Sequence, residues 1–187
     1  ALDAAGVSGL TLSGLGGQDT LSGTGNVAGA AIPVTFDGGA DGDTLLGSNG
    51  ADILIGGDGS DLIDGNQGSD TAFLGSGDDV FQWDPGDGSD IVEGQFGFDT
   101  LRFNASNASE ILDLAANGGR LRFARNIGSV VLDVNDVEEV RCNLLGGADS
   151  TVVNDLTGTD VVHVFFDLAS PAGSGTGDAQ ADTITIA

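Results

Sequence analysis

The sequence predicts an all-β fold: a flattened parallel β-solenoid in the first half that continues into a degenerate β-solenoid in the second. Three observations lead there. An Asp followed two positions later by an apolar residue recurs every nine residues, at Asp43, Asp52, Asp61, Asp70 and Asp79. It resumes at Asp90 after a two-residue insertion, and again at Asp99. Glycine stands two residues before the Asp in nearly every copy, at 50, 59, 68, 77, 88 and 97. Finally, 25 of the 29 acids are Asp and 33 residues are Gly, a composition for turns rather than helices.

One earlier copy, at Asp19, precedes an apolar stretch over 23–37 that reads as an insertion. From residue 38 each repeat divides into six turn residues and three strand residues. The turns need positive φ, which glycine adopts without steric cost. The middle strand residue, Leu45, Leu54, Ile63, Ala72, Phe81, Val92 or Leu101, points inward. Two repeats make one coil, so aspartates two repeats apart stack along an edge. Past residue 103 longer alternating runs, LRFAR, VVLDV, VRCNL and VVHVFFDL, predict further strands. Degenerate turns persist around Asp149, Asp160 and Asp182, with few or no metals expected. The domain reading is therefore 1–102 for the roll and 103–187 for a degenerate solenoid or cap.

The formal charge is −24, and the first 101 residues hold 17 acids and no Lys or Arg. Such a field repels nucleic acid and anionic lipid. No apolar run is long enough to span a bilayer. The single cysteine, Cys142, excludes an internal disulfide and a cysteine-based zinc cage. Stacked carboxylates ~5 Å apart repel by roughly 1 kcal/mol in water and by more where water is scarce. A three-residue strand buries too little to offset that, so the coils need cations between them. Calcium, with six to eight oxygen ligands in flexible geometry, suits carboxylates and turn carbonyls better than magnesium does.

GGDGSDLID, GSNGADILI and GNQGSDTAF resemble the GGxGxDxUx nonapeptide of the RTX (repeats-in-toxin) calcium-binding family. The resemblance implies a parallel β-roll with calcium between turns two repeats apart. One site would join Gly39, Asp41 and Asp43 to Gly56, Asp58 and Asp61. A second would join Ser48, Gly50 and Asp52 to Gly65, Gln67 and Asp70. A third would join Gly57, Gly59 and Asp61 to Leu74, Ser76 and Asp79. Asp70 with Asp90 and Asp79 with Asp99 are further pairs, and Gly68, Gly75 and Gly77 belong to the same turns. About three to five calcium ions are expected. The resemblance also implies a bacterial protein secreted unfolded by a type I system, and a chain cut from a longer RTX protein.

The residues flanking each inward side chain point outward. On one face these are Ile53, Ile55, Thr71, Phe73, Ile91 and Glu93, too apolar for open solvent. They are expected to be covered by the 23–37 insertion, the C-terminal coils or a second protomer. The functional expectation is an extracellular calcium-binding structural module that folds on export. The alternative is an adhesive module whose outer face binds a protein or polysaccharide. No HExxH, phosphate loop or dinucleotide fingerprint occurs, and the lone His163 reads as structural, so no catalysis is expected.

Overall fold

The computed structural model describes residues 8–23 and 32–187 of the chain. Its strands lie in two sheets. The wider contains β1 (Leu10–Gly16), β3 (Val34–Ala40), β5 (Ile53–Asp58), β7 (Thr71–Ser76) and β9 (Ile91–Phe96). It continues with β11 (Ile111–Asn117), β12 (Arg120–Arg125), β13 (Val130–Asn135), β15 (Ser150–Val153) and β17 (Thr183–Ile186). The narrower contains β2 (Thr20–Ser22), β4 (Thr44–Leu46), β6 (Leu62–Asp64), β8 (Val80–Trp83), β10 (Thr100–Asn104), β14 (Glu139–Asn143) and β16 (His163–Asp167). Up to β11 the chain alternates between the sheets, and like strands pair in parallel: the protein is a parallel β-roll.

Register follows the repeat. Leu45 pairs with Ile63 and Ile63 with Phe81, while Leu54 pairs with Ala72 and Ala72 with Val92. All six are fully buried. One inward side chain per short strand therefore fills a thin core, each contributing about 1.5–3 kcal/mol when a large apolar group is buried. Strands of the narrow sheet in the repeats have three or four residues, as the sequence implies. Those of the wide sheet run to six, because the first three turn positions also pair, Gly57 opposite Gly39 and Gly75.

Two expectations change. The apolar stretch 23–37 is not wholly an insertion. Val34–Ala40 is a roll strand in register with β1 and β5, and Phe36 occupies the inward position opposite Leu54. Residues 24–31 of that stretch lie outside the described residues. The second half is not a simple continuation either. β12 runs antiparallel to both β11 and β13, and this three-strand meander sits between β9 and β15 in the wide sheet. Its cause is local: Asn117–Gly118–Gly119–Arg120 forms a two-residue hairpin loop, with Gly118 at φ 67°. Meanwhile β10 pairs directly with β14. Trp83, Phe103 and Phe123 fill the core at this level, Trp83 stacked on Phe103 at 4.5 Å between centroids and Phe123 tilted against Phe103 at 4.5 Å.

The outer face of the wide sheet carries the expected apolar residues. Ile53 and Ile91 are exposed (44% and 42%), and Ile55 and Phe73 are half-buried in neighbouring register positions. The C-terminal coils do not fold over this face but extend the same sheet.

Candidate metal centres

The repeat Asp residues sit at the ends of turns, just before strands, and from Asp19 to Asp79 each makes two hydrogen bonds that tie adjacent coils. Its own N–H donates to Oδ1 of the Asp one coil ahead. The carbonyl of the same Asp accepts the N–H of the residue that follows that next Asp. On the edge leading into the narrow sheet, the N–H groups of Asp19, Asp43, Asp61 and Asp79 donate to Asp43, Asp61, Asp79 and Asp99 at 2.7–2.9 Å. On the edge leading into the wide sheet, Val34, Asp52 and Asp70 donate to Asp52, Asp70 and Asp90 at 2.8–2.9 Å. The carboxylates thus form two ladders.

One oxygen of each carboxylate is therefore spent on the backbone. The other, Oδ2, is buried and without a hydrogen-bond partner at Asp19, Asp43, Asp61, Asp70, Asp79, Asp90 and Asp99. Buried polar atoms are normally paired, and an orphaned anionic oxygen is costlier than a neutral one. Asp52 differs, since its Oδ2 accepts the Ser48 N–H at 2.6 Å. Burial dominates the resulting electrostatics. It pushes Asp70 up to about 8, Asp99 to about 7, and Asp79 and Asp90 to about 6, from 3.8. The donated N–H opposes the rise, and carboxylates near each group, such as Asp90 at Asp70, add to it.

The first glycine of a repeat opens the space beside this oxygen. A Cβ at Gly65 would lie 2.5 Å from Asp70 Oδ2, and one at Gly14 would lie 2.7 Å from Asp19 Oδ2 and 2.5 Å from the Gly38 carbonyl. At Gly56 it would collide with Asp61 Oδ2 and the Leu74 carbonyl. Carboxylate and carbonyl oxygens from two coils thus converge where a side chain is missing. These donors are all hard oxygens, the set calcium takes. No cluster of three or more acidic, His or Cys side chains suited to a metal occurs among the described residues, so carbonyls must complete any site.

The turn residues named from the sequence stack in successive coils. Gly39, Gly57 and Gly75 are in register, as are Asp58 and Ser76. Gly57, Gly59, Gly75 and Gly77 have positive φ, as does Asp41 at 74°; Gly68, at 158°, is close to fully extended. Leu74, which replaces a first-position glycine, turns its side chain into the core and leaves its carbonyl beside Gly56. Ser48 holds Gly50 through its hydroxyl, while Gln67 is exposed at its turn. Asp90 remains in the ladder despite the insertion, in which Trp83 Nε1 donates to the Gly88 carbonyl at 3.0 Å.

Three features add to the sequence reading. The outlying copy at Asp19 joins the ladder across 24 residues rather than 18. Glu138 ends it, accepting the Asp99 N–H at 2.8 Å. Glu138 precedes Val140 by two positions, the same pattern with Glu in place of Asp, and that was the available signal. Third, Asp64, Asp84 and Asp87 gather at the insertion, where burial pushes Asp87 up to about 7.

Comparison with known proteins agrees with this geometry. The family model for the RTX calcium-binding nonapeptide repeat (4 copies) matches residues 37–72, 46–81 and 85–102. No curated protein and no solved structure matches the chain. The matched residues are those that carry most of both ladders, and over them the chain is similar to the RTX calcium-binding nonapeptide repeat.

Proposed function

We propose that the roll is an extracellular module whose folding is driven by calcium, with about three to five ions between the coils of residues 38–102. The observation that carries this reading is the row of buried Oδ2 atoms without partners. Each would find its missing partner in a cation shared by two coils. The ligands would be the carboxylate pairs Asp43/Asp61, Asp52/Asp70, Asp61/Asp79, Asp70/Asp90 and Asp79/Asp99, with carbonyls of the intervening turns. Low intracellular calcium would leave the chain unfolded for export. Millimolar calcium outside would fill sites in the ~10⁻⁴–10⁻³ M class and add their binding energy to the fold. A bacterial type I exporter and a longer parent protein fit this scheme.

The exposed Ile53 and Ile91 beside half-buried Ile55 and Phe73 support a second role for the wide sheet's outer face, docking a protein or polysaccharide. Far-UV circular dichroism of chelator-treated protein, titrated first with magnesium and then with calcium, tests the main reading. A cooperative gain of β-structure with calcium alone is expected. Full β-structure in chelator, indifferent to calcium, would overturn it.

A further inference from the structure

Beyond the matched repeats, the same bonding pattern appears once more. Glu110 N–H donates to Asp149 Oδ1 at 2.8 Å, and Asp149 N–H donates to Asp182 Oδ1 at 3.0 Å. Ser150 N–H reaches back to the Glu110 carbonyl and Thr183 N–H to the Asp149 carbonyl, both at 2.8 Å. These are the bonds that hold Asp52, Asp70 and Asp90. Asp149 Oδ2 is also an orphan: the residue is 2% exposed and that oxygen has no partner.

The turn before Asp149 shares one left-handed position with a ladder turn: Leu145 has φ 36° where Asn66, before Asp70, has 57°, while Gly147 (φ 103°) is further from extended than Gly68 (158°). Asp178 locks the following turn onto this one, its Oδ2 accepting the Gly147 N–H at 2.7 Å and its Oδ1 the Gln180 N–H at 2.8 Å. Leucines stand at 144 and 145 where the nonapeptide has glycines, and 33 residues separate Asp149 from Asp182 instead of 18. Those departures hide the turn from a repeat pattern.

The neighbouring rung shows what a satisfied position looks like. Glu110 is buried, and Arg125 bonds both its oxygens, Nε to Oε2 at 2.7 Å and Nη2 to Oε1 at 2.6 Å, with Ser106 donating as well. A guanidinium supplies the positive charge there. No Arg or His is ion-paired with Asp149, Asp178 or Asp182 among the described residues.

We propose that Asp149 and Asp182 hold a further calcium ion, outside the recognised repeats and separated from the main ladder by the Arg125–Glu110 pair. The turn carbonyls of Leu145, Gly147, Gly177 and Ala179, at the positions the repeats use, complete an oxygen set of the size calcium takes. The proposal rests on the calcium reading of the ladder.

The test is the calcium content of the full-length chain and of Asp149→Asn after dialysis against calcium chloride, with amide hydrogen exchange on both. Asn keeps the Oδ1 acceptor for Glu110 and replaces only the ligand oxygen. The variant should hold one ion fewer. Amides of 145–151 and 183–186 should lose their calcium-induced protection while those of 53–83 keep theirs. Asp182→Asn, at a less buried position, should give the same result if Asp149→Asn does not fold. Equal ion content in wild type and variant, or exchange at 183–186 indifferent to calcium, would overturn this site alone. A wild-type chain that binds no calcium would overturn the ladder reading with it.

Discussion

At the scale of single residues, two groups define each rung: an Asp that ties coils through one oxygen, and a glycine that leaves room beside the other. Gly56→Ala places a methyl against Asp61 Oδ2 and the Leu74 carbonyl, which are backbone and a fixed carboxylate and cannot yield cheaply. The calcium concentration needed for half-folding should rise by about tenfold or more, corresponding to ~1.4 kcal/mol. Gly86→Ala, where a Cβ meets nothing nearby but φ is +121°, should strain only its own turn. A calcium titration followed by circular dichroism distinguishes the two. Much of the ladder could be read from the sequence because Asp, Gly and one apolar residue recur at fixed spacing. Glu138 could not be found by looking for Asp alone, since the same role is filled with a longer side chain. Asp149 kept the Asp but lost the surrounding glycines, so its turn looked degenerate although its hydrogen bonds are those of the repeats.

At the scale of elements, the β11–β13 meander marks a change in how charge is balanced. Before it, no repeat carboxylate among the described residues is ion-paired. Within it, Arg125 pairs with Glu110 inside the protein and lies 5.1 Å over the Trp83 ring, while Arg120 joins Glu93 and Asp133 on the outer face. Removing one partner of a buried pair leaves the other stranded. Arg125→Met should destabilise the calcium-saturated protein by about 3–5 kcal/mol, and adding Glu110→Leu should recover a large part of the loss. Urea denaturation in saturating calcium measures both. An equal loss in the single and double variants would show that the Trp83 contact, not the charge, was responsible. The meander is not legible in the sequence because Asn117–Gly118–Gly119, a hairpin signal, lies among Gly- and Asn-containing turns that elsewhere connect parallel coils. Parallel strands were expected on both sides of it, and the alternation in LRFAR does not reveal direction.

At the scale of the whole molecule, the carboxylates set a pH dependence whose sign reverses with calcium. In the metal-free fold the raised groups, Asp70 at about 8 and Asp99 at about 7 among them, hold protons that the unfolded chain has already released. The native state therefore binds more protons across this window, and its stability falls as pH rises through it. Chelator-treated protein should lose β-structure between about pH 5.5 and 8.5. In calcium the same oxygens are ligands, and acid competes with the ion, so stability should instead fall as pH drops. Circular dichroism across that range, with and without calcium, checks both slopes. Parallel curves in the two conditions would mean that proton and metal do not share these oxygens.

The unequal sheets have one more consequence. Between the pairing of β10 with β14 and that of β14 with β16, the narrow sheet advances by single strands, whereas the wide sheet interposes β12 and β11 between β13 and β15. Two extra strands add about 10 Å to one side of the stack. Counted along the sheets, β15 lies four strand spacings from β9, whereas β16 lies two from β10, and Trp83, Phe103 and Phe123 fill the core where the two sheets fall out of step.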